Sequence, residues 1–144
     1  NFGDIVPNGA DIDKELETKI NEKLNDLTNA LEKCEFRDSV FALRSLWAIA
    51  NEYMTVKEPW ALVKNGDMDG AAVVLNECFQ MIDLFARISQ PFIPDAAEKM
   101  QNVFETKHDL SWPTKYEHRI ANGEKFTVPE NLFNRIELVE KTNE

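Results

Sequence analysis

The sequence predicts an all-α protein, an antiparallel bundle of four or five helices followed by an irregular C-terminal arm. Apolar residues recur every three or four positions over most of residues 11–105, which is the period of an amphipathic helix. Most prolines and several glycines fall between these stretches, where they end one helix or begin the next. With 144 residues, 43% of them hydrophobic, the chain is long enough to bury the core of one domain.

Two long helices are expected in the first part of the chain, after an opening loop over residues 1–10. The first helix has Asp11 or Asp13 as a suitable N-cap, and its apolar face consists of Ile12, Leu16, Ile20, Leu24, Leu27 and Leu31. The second begins at Asp38, and its apolar stripe consists of Val40, Leu43, Leu46, Trp47, Ala50 and Met54. This stripe predicts that Trp47 lies in the core.

The stretch PWALVKNG interrupts the helical pattern. Pro59 disfavours the helical conformation in the residue before it, so we expect the second helix to end near Val56 and Glu58 to be extended. Proline suits the first position of a new helix, because its missing N–H has no partner there. Asn65 and Gly66 then supply a stop. The prediction is a short helix with Trp60 in its first turn.

The rest of the chain predicts two further helices and the arm. One helix runs from Met68 to Ile88, with an inner face of Ala72, Leu75, Phe79, Ile82, Phe85 and Ala86. After Pro91 ends this pattern, Pro94 opens a helix that runs to about Glu105. In the arm, residues 126–128 are expected to form a short strand and residues 131–137 a helical turn.

Composition and motifs exclude several classes of function. A net charge of −10 argues against non-specific binding to nucleic acids, and we expect no DNA partner. No apolar run approaches the roughly 20 residues that span a bilayer, so no membrane partner is expected. Since the sequence contains no Gly-rich phosphate loop, HExxH or GxSxG, we assign it no catalytic residue, metal site or cofactor.

Isolated polar residues receive ordinary structural interpretations. We expect His108 and His118 to be solvated, and the carboxylates of the helices to lie on their solvent-exposed faces. Cys34 and Cys78 lie within helical patterns with no close partner, which predicts two buried, reduced thiols. Reduced thiols fit a cytoplasmic protein or one of an organellar matrix.

Trp60 has two interpretations, which composition and periodicity leave close to even. Most tryptophans pack into a core, and Trp60 could do the same. However, Leu62 and Val63 already supply the apolar side of the short helix. Lys57 and Lys64 flank this helix, in a stretch that is less acidic than the chain as a whole. An exposed indole in that setting suits stacking on a nucleic-acid base, which is worth about 1–3 kcal/mol.

Four stretches of the chain resemble segments of methionyl-tRNA synthetases. They are, in order, NFGDIVP, ANEYMTVKEPWALVK, QPFIPDAAEKM and LFNRIE, and together they extend from residue 1 to residue 137. In the family they correspond to the segment after the first helix of the anticodon-binding domain, the helix end before a Pro-Trp pair, a proline-bounded helix entry and the closing segment. Each match is weak alone, but their order and spacing are specific.

The resemblance implies that residues 1–144 are an anticodon-binding domain that is clipped at its N-terminus and lacks the catalytic domain. Residues 106–144 would be the arm that returns toward that catalytic domain. The parent enzyme would use ATP with magnesium to join methionine to its tRNA in protein synthesis, whereas the fragment itself would be inactive. Its partner would be methionine tRNA, which it would recognise through the CAU anticodon. Two further anticodon readers of the family, an Asn and an Arg, would lie upstream of Asn1.

The resemblance also assigns roles to individual residues. Trp60 inherits the stacking on an anticodon base, Pro59 the positioning of that tryptophan, and Asn51 is a candidate second contact. Candidate phosphate contacts are Arg44, Lys57 and Lys64. Some family members carry acidic residues before the Pro-Trp pair that help to reject wrong anticodons, and this sequence departs from them at Thr55.

Two alternatives remain open at this point. The valyl, leucyl, isoleucyl and cysteinyl enzymes share the bundle, although the Pro-Trp pair and LFNRIE favour the methionine enzyme. A helical protein-interaction scaffold without RNA would instead use Trp60 as a binding hot spot or as a core residue.

Overall fold

The computed structural model describes residues 2–129 and 131–134, and it confirms an all-α bundle. The helices are α1 Lys14–Glu32, α2 Phe36–Lys57, α3 Pro59–Lys64, α4 Met68–Ser89 and α5 Pro94–Gln101. Helix α1 packs along α2, while α4 packs against α2, α3 and α5. Among the described residues, no helix is both long and apolar enough to cross a membrane.

Helix α1 begins and ends through local hydrogen bonds. Oδ1 of Asp13, one of the two expected caps, accepts from the backbone N–H groups of Glu15 at 3.0 Å and Leu16 at 3.2 Å. At the other end Cys34 adopts a left-handed φ of 58°, and the next N–H donates to Ala30 O at 2.8 Å. This is a Schellman motif, in which the left-handed residue is usually glycine.

Both cysteines are less buried than predicted. Cys34, which follows the last turn of α1, is exposed, and Cys78 is half-buried; both thiols are free.

Helix α2 starts at Phe36, two residues before the predicted start. Its face toward α1 carries the buried residues Ala42, Leu43, Leu46 and Tyr53. Trp47 packs against the same core and stacks on Phe85 with ring centroids 5.5 Å apart, although it is only half-buried. Val40 and Met54 are 44% and 39% exposed, so their assignment to the core was wrong. They lie on a side of α2 that no described element covers fully.

Helix α4 is buried almost all round, which its apolar pattern did not predict. Ala72 and Ala86 of the expected inner face are buried, whereas its larger apolar residues are half-buried. The buried set also includes a row of polar side chains, Asn76, Glu77, Gln80, Asp83 and Arg87. The prediction that helix carboxylates face solvent was thus wrong for Glu77 and Asp83. The physical reason is that the arm packs along this side of α4.

The described part of the arm binds α4 through specific hydrogen bonds. Oε1 of Gln80 accepts from the backbone N–H groups of Arg119 at 2.8 Å and Ile120 at 2.9 Å. Asp83 pairs with Nη2 of Arg87 at 3.1 Å, and burial raises the pKa of its carboxyl while the Arg87 charge opposes the rise. On α1, Thr28 Oγ1 accepts from Nε1 of Trp112 at 2.9 Å. The hydrogen bonds of Gln80 and Trp112 attach residues 112–120 to the bundle.

Both histidines contact carboxylates, so the prediction that they are solvated was wrong. Nε2 of His118 lies 3.0 Å from Oε2 of Glu77, and Nε2 of His108 lies 3.1 Å from Oε1 of Glu124. Neither partner is close in sequence, and the sequence pattern therefore gave no sign of them.

A second, smaller core joins the opening loop to the described residues that follow α5. It consists of Val6, Val103, Phe104 and Ile120, against which Phe79, Ile82 and Phe126 pack. Around it, isolated antiparallel bridges pair Ile5 with Lys125 and Phe104 with Phe126. The strand predicted at residues 126–128 is therefore a single bridge. Helix α5 ends at Gln101 rather than Glu105, and residues 135–137 of the predicted C-terminal turn lie outside the described residues.

Candidate nucleic-acid interface

A sharp elbow at Glu58 joins α2 to α3. Its backbone has φ 43° and ψ 60°, which is left-handed rather than extended as predicted. In this conformation the Glu58 N–H donates to Met54 O at 3.1 Å and closes α2. The Glu58 carbonyl also accepts from the N–H groups of Ala61 at 2.8 Å and Leu62 at 3.2 Å, which begins α3. The left-handed conformation avoids the right-handed helix, as proline requires, and lets one residue serve both helices.

The elbow displays Trp60 and buries Pro59. Trp60 is 56% exposed, although it is one of the largest apolar side chains of the protein, while Pro59 is the buried residue of α3. The indole borders an apolar recess of about 420 Å³, whose other lining residues are Phe2, Met54, Pro59, Val63 and Leu75. Gly66, with φ 83°, ends the short helix as predicted. The interpretation of Trp60 as a core residue is thus wrong, and more than half of the residue is exposed.

Asn51 and Arg44 lie on a neighbouring part of α2. Both are exposed, and both line a second groove of about 330 Å³ together with Leu43, Trp47, Ala48, Ile93 and Phe133. Asn51 does not border the recess beside Trp60. However, Met54 does, and positions three residues apart on a helix lie on the same face. Arg44, Asn51 and Met54 therefore lie along one side of α2, and of the three only Met54 borders the recess beside Trp60.

The two lysines that flank Trp60 have different surroundings. Nζ of Lys57 lies 3.5 Å from Oδ2 of Asp13 and 5.7 Å from the ring centroid of Tyr53. Hydrogen bonding from the Leu16 N–H, and to a smaller extent the Lys57 charge, lowers the pKa of Asp13. Lys64 is exposed and forms no ion pair with any residue that the structure describes. Asp13 was not expected near this site, because it reaches Lys57 only through the packing of α1 on α2. Tyr53 belongs to the stretch that resembles the family, but no role was predicted for it.

The fold is that of methionyl-tRNA synthetases of known structure. The apo form of the Mycobacterium tuberculosis methionyl-tRNA synthetase matches with a TM-score of 0.73 and 19% identity, over 96% of this chain and 29% of that chain. The same enzyme bound by methionyl-adenylate matches with a TM-score of 0.70 and 20% identity, over 93% of this chain and 28% of that one. At such identities the likeness establishes the fold alone.

The family follows from the sequence comparisons. A family model described as the anticodon binding domain of methionyl tRNA ligase matches residues 6–143, and the chain belongs to this family. Methionine–tRNA ligase of Caulobacter vibrioides strain NA1000 is 38% identical, over 94% of this chain and 25% of the relative. The enzyme of Streptomyces avermitilis is 35% identical, with the same two shares. The chain thus spans about a quarter of the length of the curated relatives it matches. This membership favours the methionine family over the two alternatives that the sequence left open.

Proposed function

We propose that this chain recognises the CAU anticodon of methionine tRNA and that Trp60 stacks on one of the anticodon bases. The observation that carries the proposal is a 56% exposed indole on an elbow whose neighbouring proline is buried. Leaving a large apolar side chain in water forgoes stabilisation of the fold, whereas its flat face gains about 1–3 kcal/mol from each stacked base. Pro59 holds the first turn of α3 and thereby orients the indole.

Other exposed polar groups of α2 and α3 are candidates to complete the interface. Asn51 carries an amide that donates and accepts hydrogen bonds, which suits the edge of a base. Arg44, Lys57 and Lys64 are exposed cations, a type of side chain suited to backbone phosphates, but the Lys57 ammonium also lies 3.5 Å from the Asp13 carboxylate. The net charge of −10 disfavours RNA elsewhere on the surface. Affinity would then depend on the anticodon loop rather than on general attraction to the tRNA.

The whole protein is proposed to be a methionine–tRNA ligase of the cytoplasm. Its relatives carry that name and are about four times as long as this chain. A catalytic domain outside residues 1–144 would bind ATP and magnesium and join methionine to the tRNA. Residues 106–144 would form the arm that leads back to it. The described part of this arm is attached to α4 by Glu77 and Gln80, which would give the two domains a defined relative position.

The test is a titration of the chain with two RNA stem-loops that differ only in the anticodon. The loop carrying CAU should bind more tightly than a loop with the three bases replaced, and the difference should vanish in Trp60→Ala. Equal affinity of the unmodified chain for both loops would contradict the proposal. A second measurement is methionine-dependent ATP–pyrophosphate exchange, which the chain by itself should not catalyse. Exchange activity in the pure chain would overturn the domain assignment.

A further inference from the structure

Lys57 is the last residue of α2, and its partly exposed side chain contacts two other residues of the chain. Its Nζ lies 3.5 Å from Oδ2 of Asp13, the residue whose Oδ1 caps α1. The ammonium also lies 5.7 Å from the centroid of the buried Tyr53 ring, one turn back along α2. Lys57 therefore joins the beginning of α1 to the end of α2.

The residue after Lys57 needs such support. Glu58 has φ 43°, a conformation that side chains other than glycine rarely adopt and that persists where the surroundings enforce it. On its C-terminal side the surroundings are the buried Pro59 and the first turn of α3. On its N-terminal side they are Lys57 and its contacts with Asp13 and Tyr53. The strained residue thus lies between two anchored neighbours, immediately before the displayed tryptophan.

We propose that Lys57 is a positioning residue for Trp60, which acts through Asp13 rather than by contacting RNA phosphate. The contact between Lys57 and Asp13 would hold the end of α2 and thereby set the direction in which the elbow points the indole. The two side chains are 44% and 36% exposed, so a phosphate that approached this ammonium would compete with the Asp13 carboxylate for it. Lys64, at the other end of α3, has no ion-pair partner among the described residues and is the matched cation available to phosphate. This inference rests on the proposed function.

Asp13→Asn distinguishes a positioning role of Lys57 from a phosphate contact, because the two predict opposite changes in RNA affinity. Asparagine caps a helix as well as aspartate does, so α1 stays intact while the charged partner of Lys57 is lost. If Lys57 positions Trp60, Asp13→Asn and Lys57→Met should each weaken binding of the CAU stem-loop by about two- to fivefold. The double variant should bind no more weakly than either single one. If Lys57 contacts phosphate, Asp13→Asn frees the ammonium and removes a repulsive carboxylate, so binding should tighten.

The salt dependence of binding gives a second criterion. Each phosphate contact on single-stranded RNA contributes about 0.7 to the slope of log affinity against log salt concentration. Lys57→Met should leave this slope unchanged, whereas Lys64→Met should reduce it by about 0.7. A reduced slope for Lys57→Met, or tighter binding by Asp13→Asn, would overturn the inference.

A readout without RNA tests the geometry directly. In protein labelled with 5-fluorotryptophan, the Trp60 resonance, assigned with Trp60→Phe, should shift in Asp13→Asn and Lys57→Met but not in Lys64→Met. An unshifted resonance would also overturn the inference. Should Trp60→Ala bind the CAU stem-loop normally, the proposed function fails and the positioning role with it. If Trp60→Ala loses binding while Asp13→Asn binds normally, only the positioning role fails.

Discussion

Nε2 of His118 lies 3.0 Å from Oε2 of Glu77, a carboxylate that is only 4% exposed on the side of α4. The hydroxyl of Tyr116 donates to the other oxygen of the same carboxylate. A buried carboxylate is costly unless hydrogen bonds replace the water it has lost. Both groups that replace this water, the Tyr116 hydroxyl and the His118 ring nitrogen, belong to the arm. The bundle and the arm therefore stabilise each other.

Tyr116→Phe should therefore destabilise the protein. It removes a hydrogen bond to a buried charged group, which costs about 1.5–3 kcal/mol of the free energy of unfolding. Urea denaturation measures the loss. Tyr53→Phe is the matched control, because Tyr53 is also buried but its hydroxyl forms no hydrogen bond with any residue in the described ranges. A cost for Tyr53→Phe as large as that for Tyr116→Phe would contradict this account.

Two tryptophans should respond oppositely to replacement by alanine. Trp47→Ala removes a ring that packs on the core and stacks on Phe85, and should cost about 3 kcal/mol of stability. Trp60→Ala should remain folded, with a stability change of at most about 1 kcal/mol, since its side chain is 56% exposed. It should instead lose about five- to 150-fold in affinity for the CAU stem-loop, and Trp60→Phe should lose less. Thermal melts together with the RNA titration measure both effects, and a large stability loss in Trp60→Ala would contradict the displayed role.

Cys34→Gly should stabilise the protein. Cys34 has φ 58° at the end of α1, where glycine avoids a steric cost of about 1–2 kcal/mol but loses more conformational entropy on folding. We expect a net gain of about 0.5–1 kcal/mol in a urea melt. Cys34→Ala keeps the Cβ atom in the same conformation and should show no such gain. Equal stability of the two variants would show that the turn stores no strain.

The two thiols should differ in reactivity toward iodoacetamide. Burial, followed by the charge of Glu77, raises the pKa of Cys78 to about 11. Only the thiolate reacts, so at pH 8 about one Cys78 in a thousand is reactive. Its alkylation rate should rise about tenfold per pH unit until the pH nears 11. Cys34, which is exposed, should be modified first. Mass spectrometry of the modified residues tests this, and a flat pH profile for Cys78 would contradict it.

Much of the fold could be predicted because it depends on neighbouring residues. Asp13 caps α1 through N–H groups two and three residues away, and Pro59 and Pro94 each occupy the first position of a helix. The short helix with Trp60 in its first turn was expected for the same reason. These features require only the backbone geometry of consecutive residues.

The tertiary structure decided which surfaces were covered. The i, i+3, i+4 pattern placed Val40 and Met54 in the core and Glu77 in solvent, and all three assignments were wrong. A helical pattern shows which residues share a face, but which element packs against that face depends on distant parts of the chain. His118, which pairs with Glu77, is 41 residues away from it.

The candidate site shows the same division between local and distant causes. The sequence by itself determined the break at Pro59 and the place of Trp60 directly after it, because the proline ring restricts only the residues beside it. Whether that indole was buried or displayed depended on how α3 packs on α4, and only the tertiary structure decided it. The same holds for the contact of Lys57 with Asp13, since the 3.5 Å distance between their charged atoms arises from the packing of α1 on α2.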